Sequence, residues 1–291
     1  MKYVLLFLLC IHLTHGQEPI LYQAPVWSPD GTQICFISNE SGSTEIYLKN
    51  VVVEGISQLT DDTLKKWTPT WSPDGTKIAF VAEFDGNKEL CYYDIAVQTT
   101  TRITNTPTDE SMPSWHPSSK SLVYISSAEG SPNQIRETTL DGKSHGLAQR
   151  SDTTYIYPSF SSDGTQLLYC SKPFEGTQQF HIAILNLETG EETPLETMGR
   201  VSYNPSWACN DTKIIFVNQE TVDIQSASIV LMNSDGTSTE KMIECEGGCF
   251  QPKMNSDCNQ VAYRNGWVAN HKGIFSFDSG THKSTNLIGS R

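Results

Sequence analysis

Long apolar runs are what this 291-residue chain has least of: beyond residue 16, no segment approaches the roughly eighteen consecutive apolar residues of a membrane-spanning helix. Basic residues are scarce as well. Lys and Arg number 20 against 33 Asp and Glu, a formal charge of −13. Such a surface repels phosphate backbones, which argues against nucleic acid as a partner. The acids are scattered, and no acidic tail of the disordered kind is visible. Phosphate-binding loops, H-E-x-x-H and G-x-G-x-x-G are missing, and so is any C-x-x-C pair. Neither a nucleotide cradle nor a zinc site is therefore expected.

The one apolar run stands at the front. In "MKYVLLFLLCIHLTHG", Lys2 precedes the run Tyr3 to Leu13, and the small polar stretch Thr14 to Gly16 follows. Residues 1–16 read as a secretory signal peptide cleaved after Gly16, so the mature protein is expected to be secreted and extracellular. Losing Lys2 takes the charge from −13 to −14, and losing Cys10 leaves 8 − 1 = 7 cysteines. Export permits disulfides, and an odd count leaves at least one thiol unpaired or intermolecular. The sequons Asn39-Glu40-Ser41 and Asn210-Asp211-Thr212 fit a eukaryotic secretory route and mark Asn39 and Asn210 for glycosylation.

What the chain does have is one phrase, written six times. "PVWSPDGTQICF" begins at Pro25, "PTWSPDGTKIAF" at Pro69 and "PSWHPSSKSLVY" at Pro113. "PSFSSDGTQLLY" follows at Pro158, "PSWACNDTKIIF" at Pro205 and "PKMNSDCNQVAY" at Pro252. The spacings are 44, 44, 45, 47 and 47 residues. A β-rich repeat of that length means propeller blades, so residues 25–291 are expected to form a six-bladed, all-β propeller. Within the second copy, "TPTWS", "KIAFVAE", "ELCYYDI" and "TTRIT" read as four strands, with Pro73-Asp74-Gly75 as the first turn. The Asp74 carboxylate is expected to cap that turn. Trp27, Trp71, Trp115, Phe160, Trp207 and Met254 recur at one position and read as packing between blades. The chain opens on a first strand and closes on a fourth, "KSTNLIG", so each blade should be one contiguous repeat without a strand swap.

The unit P-x-W-S-P-D-G-x-x-I-x-F resembles the WD-like propeller repeat of the TolB family, and dipeptidyl-peptidase and prolyl-oligopeptidase propellers carry kindred repeats. The resemblance covers the whole chain after the leader and speaks for fold rather than function. Residues 17–24 form a lead-in, where bacterial TolB has an α/β domain, so a Tol-Pal role is not implied.

Catalytic signals are weak. The single G-x-S-x-G match, Gly142 to Gly146, follows an alternating strand and precedes another, whereas a nucleophile elbow joins a buried strand to a helix. His116, His145, His181, His271 and His282 fall at unrelated repeat positions, and His116 reads as a turn histidine.

The loops entering each inner strand hold more promise, because they converge on the face where propellers bind ligands. Aromatics stand just before the repeat prolines: Tyr22, Trp67, Tyr155, Tyr157, Tyr203 and Phe250. Asp61, Asp62, Asp109, Glu110, Glu244 and Glu246 share these loops. Aromatics with carboxylates suit a sugar, a peptide with basic groups or a calcium-bridged ligand. Trp67, Asp109, Glu110, Tyr155, Tyr203 and Phe250 are therefore the expected site, with no cofactor beyond Ca2+. The reading is a non-catalytic module binding an extracellular protein or carbohydrate. Its rivals are a structural component of a calcified matrix and a glycan lyase or hydrolase using channel carboxylates such as Asp109 and Glu110. For the cysteines, Cys209 and Cys258 lie at inner-strand turns of adjacent blades, and Cys245 and Cys249 lie close together near the opposite face. These two pairs are the disulfide candidates; Cys35, Cys91 and Cys170 read as buried thiols.

Overall fold

A computed structural model describes residues 20–176, 179–197, 201–220, 227–245, 248–265 and 273–289; residues 1–16 and His271 lie outside them. Among the described residues there are twenty-four strands, β1 to β24 in chain order, and no helix. They make six four-stranded antiparallel sheets, each from four consecutive strands, so no terminal strand completes the blade at the other end. The second blade shows the pattern: β5 (Lys66–Trp71), β6 (Lys77–Phe84), β7 (Asn87–Asp94) and β8 (Thr99–Arg102). The other inner strands are β1 (Tyr22–Trp27), β9 (Asp109–Trp115), β13 (Thr153–Phe160), β17 (Val201–Ala208) and β21 (Cys249–Met254).

Burial falls off from the second strand to the rim. In β6, Ile78 to Ala82 are all buried, because blades pack on both faces of this strand; hence a continuous apolar run rather than an alternating one. In β8 every residue is exposed, which is why "TTTR" is affordable there. The recurring aromatics sit between blades. Trp115 packs on Ala79, Val81 and Leu90 of the blade before it and donates its Nε1–H to Thr70 O at 3.1 Å. Trp207 does the same to Ser159 O at 3.0 Å. Trp27 packs on Ala262, closing the seam between the sixth blade and the first. Burying each such ring stabilises by about 1.5–3 kcal/mol.

The turn after each inner strand is held by its own side chains. Asp74 Oδ1 accepts from Ser72 Oγ at 2.6 Å, from Thr76 N at 3.0 Å and from Thr76 Oγ1 at 2.8 Å. Asp30 and Asp163 repeat the arrangement. Gly75 takes φ +70° there. In the third copy His116 replaces the serine, and its Nδ1 meets Ser118 Oγ at 2.8 Å, a turn role as read from the sequence. In the sixth copy Cys258 takes the glycine position with φ +59° and is bonded to Cys209 of the fifth blade, Cα atoms 5.0 Å apart. Cys245 and Cys249 form the second disulfide, Cα atoms 5.7 Å apart, and Cys35, Cys91 and Cys170 are buried thiols. Burial pushes the Cys91 thiol up to about 12. Two disulfides fit a non-cytoplasmic protein.

Each inner strand carries an irregularity just where its x-Pro step falls. The residue before the proline is left-handed in all six blades: Ala24, Thr68, Met112, Tyr157, Asn204 and Gln251 have φ of +45° to +56°. That conformation costs a non-glycine residue roughly 1–2 kcal/mol, and a following proline disfavours helical backbone further. The bulge re-aims the strand, and all six residues line the central channel.

Candidate ligand-binding site

The x-Pro-x steps of the six inner strands form the waist of the channel, a cavity of about 100 Å³. Above the fourth to sixth blades it opens into a pocket of about 260 Å³ lined by Tyr157, Tyr203, Asn204, Gln219, Phe250, Gln251 and Arg264. Inner strands supply most of this wall, while Gln219 and Arg264 come from the second strands of the fifth and sixth blades. Arg264 stands opposite Phe250 in the register, and its guanidinium lies 5.4 Å from the phenyl centroid. Gln219 Nε2 donates to Tyr203 Oη at 3.4 Å. Gln251 Oε1 accepts from Ala24 N at 2.9 Å, tying the sixth blade to the adjoining first blade at the channel wall. Tyr157 N–H points to Met112 Sδ at 3.3 Å. Burial raises the Tyr203 hydroxyl well above its ordinary value, with Tyr157 adding to the effect, and lowers the Arg264 guanidinium.

Of the expected site residues, Tyr203 and Phe250 meet in this pocket, and the others lie elsewhere. Trp67 packs against the core cluster around Val81 and Leu90, with Lys88 Nζ 5.5 Å from its ring centroid. The same ammonium is 3.7 Å from Asp109 Oδ2, and Asp109 Oδ1 accepts from Lys88 N at 3.0 Å. Trp67, Lys88 and Asp109 thus form a chain on the rim of the second and third blades, across the ring from Tyr203 and Phe250. Glu110 is fully buried, its Oε1 accepting from Thr106 Oγ1 at 2.5 Å and Thr108 Oγ1 at 2.8 Å. Burial raises its carboxyl, and the Glu89 charge adds to the rise against the two threonine bonds. Tyr155 is 2% exposed and meets Tyr169 edge-on at 5.6 Å, a core residue. Glu246 lies outside the described residues.

Among the described residues no carboxylate lines the waist or the mouth pocket; the charged groups lining them are Arg264 at the mouth and Lys253 at the waist. Asp109 and Glu110 do not reach the channel, so a pair of channel carboxylates is not formed by them. Among the described residues no group of three or more His, Cys, Asp or Glu could hold a metal ion. Ser144 lies on the exposed outermost strand of the third blade, its Oγ accepting from Arg136 Nη2 at 3.2 Å; no elbow surrounds it. Lys253 and Arg264 went unread in the sequence, though the six aligned copies carry the signal for Lys253. The residue after the repeat proline is Val26, Thr70, Ser114, Ser159 and Ser206 in five copies, and lysine in the sixth.

A six-bladed propeller with a narrow channel and one polar mouth is the class that this geometry defines. The chain belongs to the TolB beta propeller domain family, whose model matches residues 10–264. TolB from Acinetobacter baumannii is similar in structure, with a TM-score of 0.72 at 15% identity over 94% of this chain. This chain spans 64% of the length of that protein. A putative TolB from Agrobacterium tumefaciens gives 0.66 at 20% identity, covering 79% of this chain and 83% of that one. An oligogalacturonate lyase in complex with manganese gives 0.65 at 13% identity, covering 94% and 85%. These likenesses show the fold. No curated protein matched the sequence.

Proposed function

We propose that this propeller is a secreted, non-catalytic binding module that takes an acidic group of an extracellular protein or glycan at the channel mouth of its fourth to sixth blades. One observation carries the reading: in a chain of formal charge −13, the mouth pocket joins Tyr203 and Phe250 to the Arg264 guanidinium, which lies 5.4 Å from the Phe250 ring centroid. A guanidinium forks onto a carboxylate through two parallel N–H bonds, and aromatic faces stack on a sugar ring or side chain beside it. The pocket, about 260 Å³, suits one sugar or side chain rather than a long polymer. The likeness to a lyase of an acidic sugar polymer agrees with an acidic ligand.

The test is an array of oligogalacturonates, neutral oligosaccharides, and acidic and basic peptides, probed with the full mature chain with and without calcium. Binding confined to acidic probes and lost in Arg264→Gln supports the proposal. Binding of neutral or basic probes, or acidic binding untouched by Arg264→Gln, overturns it.

A further inference from the structure

In five of the six copies the residue after the repeat proline lines the waist: Val26, Thr70, Ser114, Ser159 and Lys253. Ser206 of the fifth copy is buried beside it, and among the described residues Lys253 is the one charged side chain in the wall of the waist. Its Nζ donates to Ser206 Oγ at 3.0 Å. Desolvation lowers its pKa to about 8. The group is thus still mostly protonated at neutral pH. Lys253 is half-buried, and a partly desolvated cation without a counter-charge is costly, which favours pairing or neutralisation. Elsewhere the molecule has carboxylates in excess; buried Lys66, for one, sits 2.9 Å from Glu45. Among the described residues none lines this waist.

We infer that Lys253, held in place by Ser206, forms an anion site at the waist of the channel, built for a carboxylate group. The ammonium supplies charge and three donors: one goes to Ser206 Oγ, whose own hydrogen goes to Trp207 O at 3.4 Å, which leaves two for a carboxylate's two oxygens. Size narrows the class. The waist has about 100 Å³ and the mouth above about 260 Å³, so the waist takes the smaller group. A free small carboxylate fits the waist alone. A larger acidic ligand would leave its body in the mouth, against Tyr203 and Arg264, and pass its carboxylate down; this second half rests on the function proposed above.

Acetate is the probe for the waist and trigalacturonate for the waist and mouth together. In the mature chain with 13C-methylated lysines, the Lys253 resonance is the one missing from Lys253→Arg. Its midpoint should rise by about one unit when acetate exceeds its dissociation constant tenfold, because the anion binds the ammonium and not the amine. Exposed lysines should not follow. The Ser206 amide should respond to acetate in the wild type and in Lys253→Arg, but not in Lys253→Met. A Lys253 midpoint that acetate leaves unmoved, or a Ser206 response that survives in Lys253→Met, overturns the site. Arg264→Gln separates the two proposals. Trigalacturonate binding lost there while acetate still titrates Lys253 supports both. Acetate silent while trigalacturonate binds through Arg264 sinks the waist and spares the mouth. Acetate binding with no trigalacturonate binding does the converse.

Discussion

Glu110 stands in the third blade where Lys66 stands in the second, 44 residues earlier. Lys66 Nζ lies 2.9 Å from Glu45 Oε2, both side chains fully buried, with Asp62 Oδ1 at 2.5 Å and Leu64 O at 2.9 Å. One interface on, Glu89 takes the place of Glu45, and an acid faces an acid. Thr106 bonds to both, its N–H to Glu89 Oε1 at 2.9 Å and its hydroxyl to Glu110 Oε1 at 2.5 Å. The cation has moved outward to Arg102, whose Nη2 is 3.1 Å from Glu89 Oε1 and which replaces Gln58 of the preceding blade.

This substitution has a pH signature. The carboxyl of Glu110 is raised above its ordinary value, chiefly by burial, so folding favours its protonated form. The stability it contributes is fully present below the ordinary glutamate value of 4.5 and is lost as pH rises through the higher folded value. Glu110→Gln should flatten that part of the profile and leave the protein more stable than wild type at pH 7. Urea midpoints of both proteins from pH 4 to 8 check it; parallel profiles would show that Glu110 does not titrate in this range.

The carboxylates of the inner-strand turns act in the opposite direction. Bonds from Ser161 and Thr165 hold Asp163 below its ordinary value, and Ser28 and Thr32 do the same for Asp30. Their contribution is present above the ordinary aspartate value of 3.8 and is lost as pH falls through the depressed folded values. Asp163→Asn should therefore shrink the acid-side loss of stability while leaving the neutral-side slope of Glu110 untouched, which the same urea series measures.

Tyr155 should behave as core rather than as site. Its ring is nearly inaccessible and packed on Tyr169, so Tyr155→Ala should cost about 3–5 kcal/mol in chemical unfolding. A loss below about 1 kcal/mol would contradict that placement.

The two disulfides should differ in weight. Cys209–Cys258 closes a 49-residue loop and Cys245–Cys249 a 4-residue one. Chain entropy alone assigns roughly 4 and 2 kcal/mol. Cys209→Ser should thus lower the urea midpoint more than Cys249→Ser. Peptide mapping without reductant should recover both pairs, with Cys35, Cys91 and Cys170 alkylated only after denaturation.

The fold was legible because a propeller repeats its constraints. Pro69, Trp71 and the Asp74-Gly75 turn each do one job per blade, so six copies with near-constant spacing announce six blades and contiguous sheets. The disulfide between blades was legible for the same reason: Cys209 and Cys258 replace Pro29 and Gly31 in equivalent turns. The site was half legible. Loop position brought Tyr203 and Phe250 together, but proximity to a loop does not say which way a side chain turns. Tyr155 turns into the core and Glu110 into an interface, two residues and three residues from channel-lining Tyr157 and Pro113. The charged groups of the channel come from within strands: Lys253 from an inner-facing repeat column and Arg264 from a second strand. Reading loops for charge could not find them.

The most direct measurement compares trigalacturonate affinity in wild type, Arg264→Gln and Trp67→Ala by calorimetry. The account predicts at least a tenfold loss, about 1.4 kcal/mol, in Arg264→Gln, and wild-type affinity in Trp67→Ala once the folded fraction is allowed for. Affinity kept in Arg264→Gln and lost in folded Trp67→Ala would move the site to the rim of the second and third blades and contradict the account.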